Sequence, residues 1–379
     1  MEVWLVMKVG TLSLNINAPD FNYGAILHSY AFQQYLLKDE NIDGVEIIDY
    51  VTPRLEGQDL ASPIFNRLKT GHIKSFFRNT AHLKNYNRRL EKFNKFEEKN
   101  MIISKQQFTQ KLLQKNILEY DVIICESDVI WAPGFFGGEF DKSFFCAFSS
   151  MDEMRKIAYA PSMADGNLTT DQKEEFHRLL KKLDFISTRE RYAVEIIKKF
   201  TTKPVEHVLD PVFLLNANEY VNIAEKVDEK QDFVLLYLPV DDNRQLRYQA
   251  SEYAKRKGLR VIEISTKLKN KSAYTDKCIG DAGIEEFLGY ISSSSIVFTN
   301  SFHAICFAVI FQKQFYAFTR NSSGKVRDIC RVLNLENRFI KDGQTIRKEE
   351  KIDYEKVNIL LEKEIVKSKE WLHNALYSM

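Results

Sequence analysis

The chain has 379 residues, of which 44% are hydrophobic and 28% are charged, and its formal net charge is +2. This length exceeds what one hydrophobic core usually organises, so it predicts a globular protein of two domains. The small net charge excludes a generally acidic or basic protein, and any charged partner must be bound by a local patch. No apolar run is long enough to predict a membrane-spanning helix.

The cysteines and the N-terminal residues both predict a cytoplasmic protein. Five cysteines are scattered along the sequence without CxxC spacing, at Cys125, Cys146, Cys278, Cys306 and Cys330. We expect them to be reduced core residues and not a disulfide frame or a zinc site. The first residues, MEVWLVMKVGTLSL, lack the basic region and the cleavage site of a signal peptide, so they predict a strand.

Short apolar runs alternate with amphipathic helical patterns in two series. The first series predicts strands at 2–13, 44–51, 120–125, 155–160, 184–188 and 205–210, with helices at 22–39 and 191–200. The second predicts strands at 232–239, 259–265 and 296–299, with helices at 243–258, 284–294 and 299–311. Such alternation is typical of parallel sheets covered on both faces. The predicted fold class is therefore α/β, with two Rossmann-like, doubly wound domains at residues 1–200 and 201–379.

Two segments stand apart from this alternation. Residues 349–376 form a long charged helical pattern, which is expected either to pack back across the domains or to stand in solvent. Residues 67–95 contain nine Lys or Arg and one Glu, interleaved with aromatic residues. This basic insertion could face a phosphorylated ligand or an anionic membrane surface, or it could be a solvated helix. No nucleic-acid-binding motif accompanies it, so we expect no nucleic-acid partner.

Polar residues follow several predicted strands, at the ends where doubly wound sheets bind their ligands. These residues are Asn22, Tyr23 and Gly24, then Glu126, Ser127, Asp128 and Trp131, then Arg189, Glu190 and Arg191, then Asp210, and finally Asn300, Ser301 and His303. Each of them alone could be a helix cap or a core residue. Their joint placement predicts a polar cleft.

The last group of these residues suits an anionic substrate. The helix that begins after the strand at 296–299 offers free N–H groups, and Ser301 adds a donor for a phosphate or carboxylate. His303 could supply a proton, because imidazole titrates near neutral pH. Arg189 could hold a carboxylate or phosphate with two hydrogen bonds. Together these residues predict an anionic donor and a proton-transfer step.

A structural interpretation stays open for each main candidate. The alternatives are a capping Asn300 with a core His303, an ion pair of Arg189 with Glu190 or Glu195, a capping Asp128 and a core Trp131. No P-loop, GxSxG, HExxH or GxGxxG motif points to another class of enzyme.

Ordered motifs along most of the chain resemble the polysaccharide pyruvyl transferase family. They are GTLSL (10–14), NYGAILHSYAFQQYL (22–36), ESDVIWAP (126–133), KIAYAPS (156–162), ISTRERYAVEIIKK (186–199), VLDPVFLL (208–215), EEFLGYISSSSIVFTNSFHAICFAVIFQKQFYAF (285–318) and KVRDICRVLNLENRFI (325–340). Any one of these strings is a weak signal, whereas the ordered set is specific.

The resemblance implies a fold similar to that of B-type glycosyltransferases, with the site in the cleft between the domains. It implies transfer of the pyruvate skeleton of phosphoenolpyruvate to two sugar hydroxyls as a ketal, with release of phosphate and without a metal or cofactor. In that picture His303 protonates the donor's methylene carbon, Arg189 holds the donor and Asp128 accepts a hydroxyl proton. Further candidates are Asn300, Ser301, Lys325, Arg320, Asn22 and Gly24 for the donor, and Trp131, Glu126 and Tyr23 for the acceptor.

The chain departs from the family pattern mainly on the acceptor side. Glu126 and Ala304 stand where the family usually has glycine, Val129 where it has glutamine, and Ala132 where it has asparagine. These departures leave two other functions open. One is a nucleotide-sugar glycosyltransferase of B-type fold, which would bind a nucleoside diphosphate. The other is a non-catalytic carbohydrate-binding protein.

The resemblance also connects the chain with the synthesis of surface polysaccharides, such as capsule and exopolysaccharide. If the acceptor is a lipid-linked oligosaccharide, residues 67–95 could approach its diphosphate and the anionic lipid surface. We therefore expect a cytoplasmic protein that is peripheral at the inner face of the cell membrane.

Overall fold

The computed structural model describes residues 6–16, 21–56, 83–116, 118–148, 154–164, 166–240, 243–318, 324–340, 344, 346 and 350–378. These residues form two compact units. Unit 1 is drawn from residues 1–58, 100–215 and 361–379, and unit 2 from residues 59–99 and 216–360. The sequence predicts one boundary near residue 200, whereas the two units alternate along the chain.

Unit 1 is built on a seven-stranded parallel sheet with the order β3-β2-β1-β4-β5-β6-β7. Its strands are β1 (Met7–Leu12), β2 (Ile42–Val51), β3 (Ile103–Thr109), β4 (Val122–Glu126), β5 (Arg155–Tyr159), β6 (Phe185–Thr188) and β7 (Val205–His207). The central strand β4 is buried along its whole length. A strand covered on both faces needs an unbroken apolar run, which is why the sequence predicts it clearly.

Unit 2 is built on a six-stranded parallel sheet with the order β10-β9-β8-β11-β12-β13. Its strands are β8 (Phe233–Tyr237), β9 (Arg260–Ile264), β10 (Lys277–Ile279), β11 (Ile296–Thr299), β12 (Gln314–Phe318) and β13 (Phe339–Ile340). The central strands β8 and β11 are fully buried. The prediction of two parallel-sheet α/β domains is confirmed.

Helices connect the strands in both units. The α-helices within the described ranges are α1 (Tyr23–Leu36), α2 (Leu83–Asn100), α3 (Gln110–Lys115), α4 (Thr170–Leu180), α5 (Arg191–Ile197), α6 (Ala217–Ile223), α7 (Arg244–Lys257), α8 (Ile284–Ser293), α9 (Phe302–Ile310), α10 (Gly324–Val332) and α11 (Tyr354–Tyr377). Short 3-10 helices lie at Pro133–Phe136, Lys142–Phe145, Pro211–Phe213 and Glu336–Arg338. Side-chain caps define several starts, because Asn22, Asn243 and Ser301 each accept a backbone N–H of the following turn.

Apolar side chains cover both faces of the unit 1 sheet. Successive residues of β4 join different clusters, with Ile123 and Cys125 in one and Val122 and Ile124 in the other. Alternate residues of a strand point to opposite faces, so each cluster is the core of one face. All five cysteines are buried free thiols, as predicted for core residues.

The terminal helix α11 is a packed element and not a solvated one. Its first residue belongs to unit 2, where the Tyr354 hydroxyl donates to the carbonyl oxygen of Ala308 at 3.2 Å. Its last turns belong to unit 1, where Leu372, Ala375 and Leu376 are buried in the core on one face of the sheet. The prediction of a C-terminal helix that packs on both domains is confirmed.

The basic insertion predicted at 67–95 is described only from residue 83 onwards, and residues 67–82 lie outside the described part of the chain. Helix α2 places Tyr86, Arg89 and Phe93 on a buried face. The Arg89 guanidinium donates to the Ser265 carbonyl oxygen at 2.8 Å, within unit 2. No helix in the described ranges is both long enough and apolar enough to cross a bilayer.

Candidate active site

The strand order places a topological switch point in each sheet, where neighbouring strands lead into connections on opposite faces. In unit 1 this point lies between β1 and β4, and in unit 2 it lies between β8 and β11. Ligands of doubly wound sheets bind outside the carboxyl ends of the strands at such points. The residues that follow β4 and β11 are therefore the first candidates for a site.

In unit 1 the end of β4 carries a buried pair, His28 and Glu126. His28 Nδ1 lies 2.8 Å from Glu126 Oε2, and both side chains are inaccessible to solvent. The Ser29 hydroxyl donates to Glu126 Oε1 at 2.5 Å. Both carboxylate oxygens are thus occupied by groups of helix α1. The proposed contact of Glu126 with an acceptor sugar gains no support from this geometry.

Burial and the contact between His28 and Glu126 shift the pKa values of both groups. Burial lowers the pKa of His28, but the neighbouring carboxylate raises it by more, so the net shift is upward from its ordinary 6.5. Burial raises the pKa of Glu126, and His28 only partly offsets that shift. Both shifts favour the forms that hold a proton, so the pair retains protons at a higher pH than two isolated groups would.

The backbone after β4 is unusual, because Ser127 and Asp128 have φ angles of +51° and +46°. Non-glycine residues adopt this left-handed conformation at a cost, and such positions cluster at functional sites. Asp128 Oδ1 accepts the N–H of Val129 at 2.8 Å, and the Asp128 carbonyl oxygen accepts the N–H of Ser162 at 2.8 Å. The carboxylate of Asp128 also helps to raise the pKa values of His28 and Arg189, so these three groups share one cluster.

Arg189 is held by carboxylates and is almost completely buried. Its Nη1 donates to Asp210 Oδ2 at 2.7 Å, and its Nε donates to Glu190 Oε1 at 3.3 Å. Burial alone lowers the pKa of Arg189, but Glu190 and Asp210 raise it by more. The ion pair with Glu190, one of the alternatives for this residue, is present. A role for Arg189 in holding the donor is not supported by these contacts.

Trp131 is a core residue, and stacking on a sugar ring is not supported. Its side chain is fully buried and stacks on Phe145 with ring centroids 5.0 Å apart. Its indole N–H donates to the Phe144 carbonyl oxygen at 3.0 Å. Val129 and Ala132, at positions where the family usually has polar amides, belong to the same apolar cluster. The departures at these two positions therefore extend a hydrophobic core.

The residues at the start of helix α1 serve its N-terminus. Asn22 Oδ1 accepts the N–H groups of Gly24 at 3.1 Å and of Ala25 at 3.3 Å. Tyr23 is 1% exposed and Gly24 is buried as well. Asn22 is exposed and could reach a ligand at its outer edge, whereas Tyr23 offers no open ring face for a sugar.

In unit 2 the end of β11 carries Asn300, Ser301 and His303. Asn300 Oδ1 accepts the N–H of Val240 at 3.2 Å, which joins the ends of β11 and β8 across the switch point. Ser301, and not Asn300, is the N-cap of helix α9, and its Oγ accepts the N–H of Ala304 at 3.3 Å. His303 lies in the first turn of α9 and is 8% exposed. The structure therefore places the imidazole in the first turn of the helix that follows β11, and its role as a proton donor stays a prediction.

Two basic residues downstream of His303, Lys325 and Arg320, are candidates for binding the donor. Lys325 is the second residue of helix α10 and is half-buried. Arg320 lies outside the described residues. Within the described ranges no group of three or more His, Cys, Asp or Glu side chains is arranged to hold a metal ion.

The unit 1 cluster contains two side chains that the strand-end pattern of the sequence does not predict, His28 and Ser29. His28 and Ser29 complete the environment of Glu126, while Asp210 joins Arg189 to Ser127 through hydrogen bonds of 2.7 and 2.8 Å. A signal for His28 existed, because a polar His-Ser pair interrupts the apolar helix AILHSYAF. Carboxylates outnumber cations in this cluster, so it suits sugar hydroxyls better than an anionic donor.

Several solved structures align with most of this chain. The UDP-GlcNAc 2-epimerase of Methanocaldococcus jannaschii aligns over 94% of this chain and 92% of its own, with a TM-score of 0.50 and 15% identity. The ADP-heptose lps heptosyltransferase II of E. coli aligns over 94% and 99%, with a TM-score of 0.38 and 13% identity. UGT89C1 of Arabidopsis thaliana, complexed with quercetin, aligns over 98% and 94%, with a TM-score of 0.44 and 12% identity. The fold, two parallel-sheet α/β domains, is similar to the B-type glycosyltransferase fold.

Sequence comparison identifies the family. No curated protein matches the chain significantly. A family model of polysaccharide pyruvyl transferases matches residues 22–322, a span that runs from the cap of α1 through both strand-end clusters. The chain therefore belongs to the polysaccharide pyruvyl transferase family.

Proposed function

We propose that the protein transfers pyruvate from phosphoenolpyruvate to two hydroxyls of a sugar, forming a ketal and releasing phosphate. Family membership supports transfer to a polysaccharide-type acceptor. The observation that carries the proposal is His303, which lies in the first turn of α9 at the switch point of unit 2. An acid at this place can protonate a substrate held outside the strand ends.

The transfer divides into two additions. His303 donates a proton to the methylene carbon of phosphoenolpyruvate, while the first sugar hydroxyl forms a bond with the adjacent carbon and loses its proton to a base. The second hydroxyl then bonds to the same carbon and gives its proton to the deprotonated His303. The carbon–oxygen bond to phosphate breaks, and the departing phosphate takes the proton that the base received from the first hydroxyl. The products are a ketal with a methyl group, inorganic phosphate and the protein in its starting state.

The carboxylates at the end of β4 are the proposed acceptor side. Asp128 stands at a strained position beside the His28–Glu126 pair and is our candidate for the base that receives a hydroxyl proton. His28 and Glu126 hydrogen-bond to each other. Their proposed role is to hold the site in position and not to contact the substrate. The donor side is proposed to lie in unit 2, with the N-terminus of α9 and Lys325 as groups for phosphate or carboxylate.

We further propose that the reaction uses no metal or cofactor and serves capsule or exopolysaccharide synthesis in the cytoplasm. The acceptor is proposed to be a lipid-linked oligosaccharide, reached by a protein that is peripheral at the inner face of the membrane. Arg88, with a side chain that is 54% exposed, can approach such a surface. Arg89 cannot, because it is buried against Ser265.

Separate measurements test the binding of the donor and the transfer of the proton. Phosphoenolpyruvate binding is measured by calorimetry, and transfer is measured in D2O by mass spectrometry of the ketal, whose methyl group gains a deuteron. The His303→Gln variant is expected to bind phosphoenolpyruvate and to lose transfer. The exposed His373→Gln is the matched control. Full transfer by His303→Gln, or binding of a nucleoside diphosphate with no response to phosphoenolpyruvate plus acceptor, would overturn the proposal.

A further inference from the structure

Unit 2 contains a cavity of about 470 Å³ at the carboxyl ends of β8 and β9, apart from His303. Its cationic side chains come from two elements. Arg244 and Arg247 stand on the first turn of helix α7, and Lys267, Lys269 and Lys271 stand on the loop that follows β9. The three lysines are spaced at every second residue, so one short loop brings all of them to the same cavity.

Among the described residues that line the cavity, basic side chains outnumber acidic ones. Glu263 is the only acidic residue among the described residues that line it, and it is paired with Arg247 through Nη2 and Oε1 at 2.6 Å and a second contact between Nη1 and Oε2. Arg247 and Glu263 are both buried, and their opposite charges cancel, so this pair adds no net charge to the cavity lining. The other four cationic side chains that line the cavity are all exposed at it.

The loop that carries the lysines is already ordered. Ser265 Oγ accepts the N–H groups of Lys267 at 3.2 Å and of Lys269 at 3.3 Å. Ser272 Oγ accepts a hydrogen bond from Arg247 Nη1 at 2.7 Å, which fastens the other end of the loop to α7. A loop held in this way loses little further freedom when a ligand binds.

Side chains of helix α2 hydrogen-bond to the same loop. Asn85 Nδ2 donates to the carbonyl oxygen of Leu268 and to Oδ1 of Asn270, both at 2.8 Å, and Arg89 donates to Ser265. Leu268 has a left-handed φ of +57°, a conformation that needs such support. The described part of the basic insertion thus acts as a brace for the lysine loop.

We infer that this cavity binds the diphosphate group of a phosphate ester. Several positive charges converge on it, and charged hydrogen bonds to phosphate are among the strong polar contacts of proteins. Its volume falls within the roughly 300–1,000 Å³ of small-molecule sites, more than one phosphate group fills. Leu238, Pro239 and Val240 form an apolar wall for the rest of the ester. The site goes beyond the proposed transfer, since binding a diphosphate requires neither phosphoenolpyruvate nor reaction.

The inference is tested with inorganic pyrophosphate and the whole chain. Calorimetry compares the wild type with Lys269→Gln/Lys271→Gln, whose exposed positions let the fold survive, as thermal unfolding will verify. Pyrophosphate is expected to bind the wild type more tightly than orthophosphate does, and the double variant at least about tenfold more weakly. Lys226→Gln/Lys230→Gln removes the same charge from exposed positions of unit 2 outside the cavity lining and should bind as the wild type.

Competition identifies the source of the diphosphate. Displacement of pyrophosphate by a nucleoside diphosphate alone supports a nucleotide ligand, and displacement by geranyl diphosphate alone supports a lipid-linked one. Failure of both compounds to displace it, or the absence of pyrophosphate binding to the wild type, would overturn the inference. So would equal weakening by the two double variants. Loss of phosphoenolpyruvate affinity in Lys269→Gln/Lys271→Gln would make the cavity the donor's phosphate site instead.

Discussion

Arg189 Nη1 donates to Asp210 Oδ2 at 2.7 Å, and both side chains are withdrawn from solvent at the ends of the neighbouring strands β6 and β7. A guanidinium that is buried and already contacts two carboxylates, Asp210 and Glu190, is poorly placed to bind an anionic donor from solvent. The breaking of a buried ion pair leaves an uncompensated charge inside the protein. This contact therefore decides how variants of Arg189 must be interpreted.

Replacement of Arg189 by methionine is expected to lower the free energy of unfolding by about 3–5 kcal/mol, because Asp210 is left buried without its cation. The double variant Arg189→Met/Asp210→Asn should recover part of the loss, since the amide carries no charge. Urea denaturation measures both. If Arg189→Met kept the stability of the wild type and lost phosphoenolpyruvate binding, Arg189 would contact the donor after all.

The His28–Glu126 pair predicts a pH dependence of stability. Both pKa values are raised in the folded protein, so the folded state binds protons more tightly than the unfolded chain. The contribution of His28 is complete below its unfolded pKa of about 6.5 and is lost as the pH rises through the folded value; the raised pKa of Glu126 acts in the same direction.

The free energy of unfolding should therefore fall more steeply for the wild type than for His28→Gln/Glu126→Gln as the pH rises above about 6.5. Urea denaturation at a series of pH values gives the two slopes. The exposed His373→Gln is expected to keep the slope of the wild type. Identical slopes for the wild type and the double variant would mean that the pair does not hold the extra protons.

Ser301 caps helix α9, which predicts a specific order of its variants. Ser301→Ala removes the acceptor of the Ala304 N–H and should cost about 0.5–2 kcal/mol of stability. Ser301→Asn keeps a capping oxygen and should cost much less. Thermal unfolding ranks the three proteins. An alanine variant as stable as the wild type but impaired in phosphoenolpyruvate binding would show that the hydroxyl serves the ligand.

Trp131 packs between aromatic rings, so its loss should affect stability and not the acceptor. Trp131→Ala is expected to lower the free energy of unfolding by about 3–5 kcal/mol, because it empties a core site beside Phe145 and Phe176. Trp131→Phe should lose much less and should keep the KM for the acceptor sugar. A raised KM in the phenylalanine variant, with stability unchanged, would place this ring at the acceptor.

The sequence predicted the fold well wherever local pattern determines structure. Buried strands such as β4 and β11 are continuous apolar runs, and His303 was placed correctly at a helix start because it follows such a run. The strand β3 was missed, since ISKQQFT buries only Phe108 and so has neither an apolar run nor a clear alternation.

Contacts between distant residues are what the sequence could not supply. Glu126 lies 98 residues from His28, and Arg189 lies 21 residues from Asp210, and no local pattern joins either pair. The basic composition of the insertion suggested an outward role, whereas Arg89 faces inward to hold the lysine loop. In each case the meaning of a charge depends on the partner that tertiary structure brings to it.

The alternation of the two units along the chain has a consequence for biosynthesis. The polypeptide changes unit at residues 58/59, 99/100, 215/216 and 360/361. Leu372 and Leu376 fill the core of unit 1, so that unit cannot finish its hydrophobic interior until helix α11 has left the ribosome. A nascent chain that still lacks this helix cannot complete the native core of unit 1. It therefore exposes one apolar face of the unit 1 sheet, to which chaperones can bind.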